Sequence, residues 1–181
     1  MPTVLTHAAL PLIAAWGLGP SRVPPRLALV AAVVAVVPDL DVLGRFVGIP
    51  VESILGHRGA SHSVAAALVV GMLAAAIPAR PIGWPRRWWF LFLSALSHGS
   101  ADMLTDGGKG IALFWPLTSD RMFFWFRPVE VSPIFLRGLE NGKLWLVLAS
   151  EMFWILLPAS ILAILFRLGG EPHIDLSKGQ S

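Results

Sequence analysis

Five long apolar runs dominate this chain, and they leave it few ways to fold in water. They are Val4–Leu18, Leu27–Leu43, Ser61–Ile77, Trp88–Leu104 and Leu144–Leu168. A helix normal to a bilayer needs about 20 residues to cross the hydrocarbon, with about 17 as a lower bound. Four of the runs meet that length, while the first is shorter and contains Pro11, so a tilt or kink is expected there. Only 14% of the residues are charged, against about 25% in an ordinary soluble domain. That is too little charge to coat a water-facing surface. The fold class expected is therefore all-α, a polytopic membrane helical bundle with about five transmembrane helices. One domain covers residues 1–168, and residues 169–181 form a polar C-terminal tail.

The charges say more about topology than about partners. Lys and Arg number 14 and are spread along the chain. No basic cluster interleaved with aromatics is present, so no nucleic-acid partner is expected. Membrane lipids are the expected partners of these cations. Cysteine is absent, which excludes disulfides and thiolate metal ligands. The first Lys or Arg is Arg22, so the opening apolar run lacks a signal-peptide n-region and is read as part of the mature protein.

With five spans, the N-terminus and the 44–60 and 105–143 loops share one face. Positive residues tie between the two faces, but they are denser in the short opposite segments around Arg22, Arg26, Arg86 and Arg87. That density puts the first face outside the cytoplasm. Trp84, Trp88 and Trp89 on one side, and Trp115, Trp125 and Trp145 on the other, suit interfacial aromatic belts.

An ionisable residue in an apolar span costs a few kcal/mol or more and is a functional candidate by default. His7 opens the first run, Asp39 and Asp41 close the second, His57 and His62 precede or open the third, and His98 and Asp102 end the fourth. Four helices thus deliver His and Asp to one membrane face. His98 and Asp102 stand at i, i+4 and share a helix face, as suits two ligands of one metal or a simple interhelical hydrogen bond. Pro38 should disrupt the second helix beside Asp39 and Asp41, and Ser61 is a candidate N-cap for the third. Imidazole and carboxylate without sulfur suit zinc, manganese or iron, as one ion or two. Glu151, about two turns into the last run, reads equally as a protonated hydrogen-bonding acid, a metal ligand or a general base.

The 105–143 loop does not read as a solvated loop. Gly107, Gly108 and Gly110 around Lys109 give a backbone able to approach an anion. Arg121 and Arg127 bracket five apolar residues, four of them aromatic. This stretch is expected to lie in the interface and partly cover the site, its arginines either binding phosphate or anchoring to headgroups.

The series Thr6-His7, Pro38-Asp39-Leu40-Asp41, His57-Arg58-Gly59-x-Ser61-His62-Ser63 and Ser97-His98-x-x-x-Asp102-x-x-Thr105 resembles the YdjM-type family of membrane-bound metal-dependent hydrolases. Phe114-Trp115-Pro116-Leu117 and Phe126-Arg127-Pro128 are similar to later motifs of that family, and the resemblance spans roughly residues 3–160. It implies a multi-pass protein of the inner membrane and a metal site. More distantly, the His98/Asp102 pair resembles one in zinc-dependent phospholipase C and P1 nuclease, whose upstream ligands correspond here to His7, Asp41 and His62. This chain departs from that group in having no second such pair, its only later histidine being His173.

Together these readings point to a hydrolase acting on a phosphoester of a lipid or lipid-linked molecule. The expected metal ligands are His7, Asp41, His62, His98 and Asp102, with zinc the first choice of ion. Asp39, His57 and Glu151 are the expected catalytic or orienting groups, and Arg58, Lys109, Arg121 and Arg127 the expected substrate contacts. The competing reading is a divalent-metal transporter or a non-catalytic metal-binding membrane protein. A transporter should hold its ligands near the bilayer midplane, where only Glu151 stands clearly.

Overall fold

A computed structural model describes residues 1–77, 82–132 and 143–169. The polar tail with His173 and Lys178, the segment with Arg80 and the segment with Arg137 lie outside the described residues. Within them the chain is helical and holds no strand.

Each helix boundary has a local cause. Helix α1 (Val4–Leu18) starts where the Thr3 side chain accepts the Thr6 N–H, and it stops at Gly19, whose φ is 82°. Helix α2 (Pro25–Val34) begins on a proline, which has no N–H to lose in a first turn. It ends four residues before Pro38, whose ring would crowd the Val34 carbonyl. The chain then tightens into a 3-10 helix over Val37–Val47 and stops at Gly48, with φ of 81°. A short 3-10 turn, Ala60–His62, precedes helix α3 (Val64–Ala75). Ser63, not Ser61, caps α3, its side chain accepting the Ala66 N–H at 3.0 Å. His62 therefore lies ahead of the helix, where the sequence had placed it inside. Helix α4 (Trp84–Met103) follows a Gly-Trp-Pro start.

The last apolar run is one continuous helix in three parts: α5 (Lys143–Glu151), a π-helical turn over Met152–Leu156, and α6 (Leu157–Gly169). Pro158 explains the wide turn. It has no N–H for the Trp154 carbonyl, and just before it the Leu157 N–H reaches five residues back to Met152.

Helix α4 packs on α3, α1 packs on α6 and α2, and α2 also contacts α4. The interior is built of small or branched residues, among them Ala28, Ala31, Val34, Ala67, Ala75 and Ala95. Small residues let backbones approach closely, as membrane helices require in place of a hydrophobic drive. A Cβ on Gly71 would lie 2.8 Å from the Phe92 backbone, and one on Gly17 would lie 2.7 Å from Ala163. Large apolar side chains point outward instead: Leu29, Val33, Leu73, Leu165 and Phe166 are all more than half exposed. Pro25–Val47 and Lys143–Gly169 are long and apolar enough to cross a membrane, and α1 and α3 are shorter apolar helices.

Glu151 ties the two ends of the bundle together. Fully buried, it accepts the Thr3 N–H at 2.6 Å and the Thr3 hydroxyl at 2.7 Å. The Thr6 hydroxyl donates to it at 2.5 Å. One acid on α5 thus takes the Thr3 N–H, a donor at the start of α1 that no preceding turn can bond, together with two threonine hydroxyls. Replacing Glu151 by Ala leaves several buried donors unpaired, at about 1–3 kcal/mol each. Thermal unfolding in detergent should show a marked loss for Glu151→Ala and a smaller one for Glu151→Gln, which keeps an acceptor oxygen.

Candidate metal centre

Glycine lets the elements that carry the histidines meet. A Cβ on Gly99 would sit 3.0 Å from the His62 carbonyl, so α4 reaches the 60–62 turn only because residue 99 has none. A Cβ on Gly59 would fall 2.0 Å from the Ile54 carbonyl, and the preceding Arg58 adopts φ of 67°. A long side chain in that left-handed region is strained. What holds it is its own guanidinium, which donates to Thr105 Oγ1 at 2.9 Å and to the Gly107 carbonyl at 3.0 Å. The same group lies 3.4 Å from Asp102.

At the centre, His7 and His98 stack with ring centroids 3.7 Å apart, and His62 meets His98 edge-on at 4.7 Å. All three are buried, as is Asp102. His98 Nδ1 lies 2.7 Å from the Ala35 carbonyl. A carbonyl only accepts, so Nδ1 carries the proton and Nε2 keeps a lone pair. On His62, Nδ1 stands 3.2 Å from Asp41 Oδ2 and 3.0 Å from Ser61 Oγ. Ser61 in turn donates to Asp41 at 2.5 Å, leaving its oxygen free to accept from Nδ1. That arrangement also turns a lone pair outward at His62 Nε2. Yet the two Nε2 atoms lie 3.0 Å apart. Two lone pairs at that separation need a positive charge or a proton between them.

The surrounding carboxylates repeat the demand. Asp39 Oδ1 is 3.4 Å from His98 Nε2 and 3.8 Å from His62 Nε2. Asp102 Oδ2 is 3.3 Å from His62 Nε2. These are charge-pairing distances without hydrogen-bond geometry: both oxygens of Asp39, Oδ2 of Asp102 and both nitrogens of His7 are buried and unsatisfied. Such groups are rare in folded proteins and call for an explanation. Potential ligand atoms come within 4.8 Å of one another in three overlapping triads: His7–Asp39–His98, Asp39–His57–His62 and His62–His98–Asp102. The electrostatics agree with the geometry. Three carboxylates, those of Asp39, Asp41 and Asp102, come within 3.8 Å of the His62 ring nitrogens. The pocket favours a cation.

The two aspartates of the 38–41 motif divide their work differently from the sequence expectation. Two residues apart on a helix, they project to different sides. Asp39 presents unpartnered oxygens to the histidines. Asp41 is spent on the 57–62 turn, 2.7 Å from His57 Nδ1 and accepting the Arg58 N–H at 3.1 Å besides the Ser61 hydroxyl. Glu151 bonds Thr3 and Thr6 and belongs to none of the triads.

The expected substrate contacts also separate. A cavity of about 110 Å³ lies beside the cluster, lined in part by His57, Arg58, Gly108 and Lys109. Lys109 pairs there with exposed Glu52. Arg121 is instead a clamp on the 51–57 segment, its guanidinium donating to the carbonyls of Val51, Ser53 and His57 at 2.9–3.0 Å. Arg127 is exposed and lies 4.7 Å over the Phe123 ring. The 104–132 loop is pinned to the site: the Ala112 N–H bonds the Arg58 carbonyl, the Val64 N–H bonds the Leu113 carbonyl, and Ile111, Ala112 and Val129 are fully buried. Trp125, by contrast, is 95% exposed. Sequence reasoning missed the Ala35 carbonyl, which carries no side-chain signal, and Thr3, whose role as a cap is visible only from its place before the first apolar run.

A family model described as YdjM inner membrane protein matches residues 1–172. The chain belongs to that family. Inner membrane protein YbcI of Escherichia coli (strain K12) is 40% identical over 164 residues, covering 90% of this chain and 95% of the relative. No solved structure matches. Membership of an inner membrane family accounts for the outward-facing Leu, Val and Phe side chains of the bundle. It also makes the buried His and Asp groups costly to retain.

Arg121→Ala should free the 51–57 segment without unfolding the helices. Limited proteolysis is expected to cut the variant within that segment under conditions that leave the wild type intact. Arg121→Lys, which lacks the fork of five donors, should be only partly protected.

Proposed function

We propose that this protein is a multi-pass inner-membrane hydrolase that uses a divalent metal to cleave a phosphoester of a lipid or lipid-linked molecule. The observation that carries the metal is the pair of Nε2 atoms of His62 and His98, 3.0 Å apart, set among buried Asp39 and Asp102 oxygens that have no hydrogen-bond partner. His7, Asp39, His62, His98 and Asp102 would hold the ion, and their unsatisfied atoms fit an all-nitrogen-and-oxygen site. Zinc fits best, with manganese or iron next. A bound divalent ion supplies the charge that acidifies water and polarises a phosphoryl oxygen.

The chain's own groups supply the rest. Asp41 orients His62 through Nδ1, the outer contact that metal-binding histidines usually need. It also holds Nδ1 of His57, leaving Nε2 of His57 to take up a proton beside the small cavity. Arg58 and Lys109 line that cavity and offer positive charge to phosphate oxygens. The 44–60 and 105–132 segments, and with them the site, face the extracytoplasmic side. Full burial of His7, His98 and Asp102 favours one second reading, an ion that only stabilises the fold.

Elemental mass spectrometry of detergent-purified protein separates these readings. Wild type should carry one or two ions per chain, and His98→Ala and Asp102→Ala should lose them. Asp41→Asn should bind with an affinity about 10–100-fold weaker. Metal retention should also fall as pH drops, because protons compete for the imidazoles. Metal-supplemented wild type should release the headgroup or phosphate from phospholipid vesicles, and His57→Ala should keep its ion and lose turnover. A His57→Ala variant with ion and unchanged turnover removes His57 from the reaction. A wild type with ion and no turnover on any phosphoester leaves the structural ion.

A further inference from the structure

An apolar cavity lies one helical turn from the candidate metal centre. It has a volume of about 350 Å³ and sits between α1, α4 and α6. Helices α4 and α6 both pack on α1 and form no comparable packed pair with each other, so a cleft remains between them. Its inner end is one helical turn from the candidate ligands. Leu10 follows His7 by three residues on α1, and Ser94 precedes His98 by four on α4, so each lining residue shares a face with a histidine.

The walls are dry by construction. Two serines line the cleft, but both hydroxyls are turned onto their own helix, Ser94 to the Phe90 carbonyl at 2.7 Å and Ser97 to the Ser94 carbonyl at 2.8 Å. No charged residue lines it. At its mouth Leu93, Leu162 and Phe166 are more than half exposed, so the cleft opens sideways toward whatever covers the apolar exterior. A volume of this size falls within the range of ligand pockets, about 300–1,000 Å³. Pro11 lines it too, and having no N–H leaves the His7 carbonyl without its helical donor at the point where cleft and metal centre meet.

We infer that this cleft takes a hydrocarbon chain of the substrate lipid, entering sideways from the membrane, and so sets the polar end of that lipid at the His7–His98 pair. The inference rests on the metal-dependent reading for what happens at that polar end, and on the cleft alone for the chain. It gives a reason for an intramembrane site: a lipid reaches the histidines without leaving the bilayer. The substrate class is accordingly a membrane lipid with a long alkyl, acyl or isoprenoid chain. Short, water-soluble phosphoesters would lack the contact that holds them in place.

The test uses the full chain in nanodiscs with a phospholipid that carries a photoreactive diazirine partway along one acyl chain. Labelled residues are mapped by peptide mass spectrometry, and metal content is measured on the same samples. The expected result is labelling of the 10–18, 90–97 and 159–166 stretches above that of Leu29 on α2 and Leu73 on α3, which mark the ordinary lipid-facing surface. Ala14→Trp fills the cleft from α1 and Ala159→Trp fills it from α6. In whichever variant keeps its fold and metal, labelling of the cleft should drop to the level of those control positions. Equal labelling of all faces in the wild type, or undiminished cleft labelling in the filled variants, overturns the inference. Crosslinks showing a second copy of the chain seated in the cleft do the same. Cleft labelling on a metal-free wild type would sink the metal-dependent reading and leave the lipid chain standing, whereas metal without cleft labelling does the reverse.

Discussion

Histidine and aspartate side chains packed together out of water cannot be at rest unless a positive charge sits among them. Here Asp39, Asp41 and Asp102 surround His7, His62 and His98 with almost no solvent contact. A buried charge left without compensation costs several kcal/mol, and unsatisfied polar atoms add to it. One guanidinium, that of Arg58, answers part of the demand at Asp102. The remainder is a demand that the proposed metal ion would meet, and most of the local architecture is arranged around these groups.

That architecture works from outside inward. Glu151 fixes the start of α1 and hence the height of His7. Pro38 ends α2 so that the Ala35 carbonyl is free to take the Nδ1 proton of His98. Arg121 gathers three carbonyls of the 51–57 segment and so holds the turn that carries His57. Asp41 then orders His57, Ser61 and His62 at once. None of these four groups contributes a free atom to the centre, yet each sets the position or tautomer of one that does. Fixing geometry through outer contacts is how metal sites are usually built.

The sequence revealed the parts that depend on local pattern. The apolar runs marked the helices, and α1 has the bounds that hydropathy alone assigned, Val4–Leu18. The i, i+4 spacing of His98 and Asp102 put both on one face of α4. The shared face of His7, Asp39, His62 and His98 followed from counting crossings, and the structure brings these residues together. What stayed hidden depends on partners far away in the chain. The acceptor role of Glu151 toward α1 spans 145 residues or more, and Arg121 bonds carbonyls that carry no residue-specific mark. Asp39 and Asp41 are chemically identical, so only the turn of the 3-10 helix separates the one facing the histidines from the one facing the 57–62 turn. The cap of α3 went to Ser63 instead of Ser61 because the 60–62 turn delays the helix by two residues.

The most direct measurement of the central claim is X-ray absorption at the metal edge on protein loaded with zinc. The expected result is a shell of nitrogen and oxygen scatterers at about 2.0–2.2 Å, with outer-shell features of several imidazoles and no sulfur, lost in His98→Ala. A spectrum of fully hydrated zinc, or a folded wild type that takes up no ion, would contradict it and leave the histidines and aspartates sharing only protons.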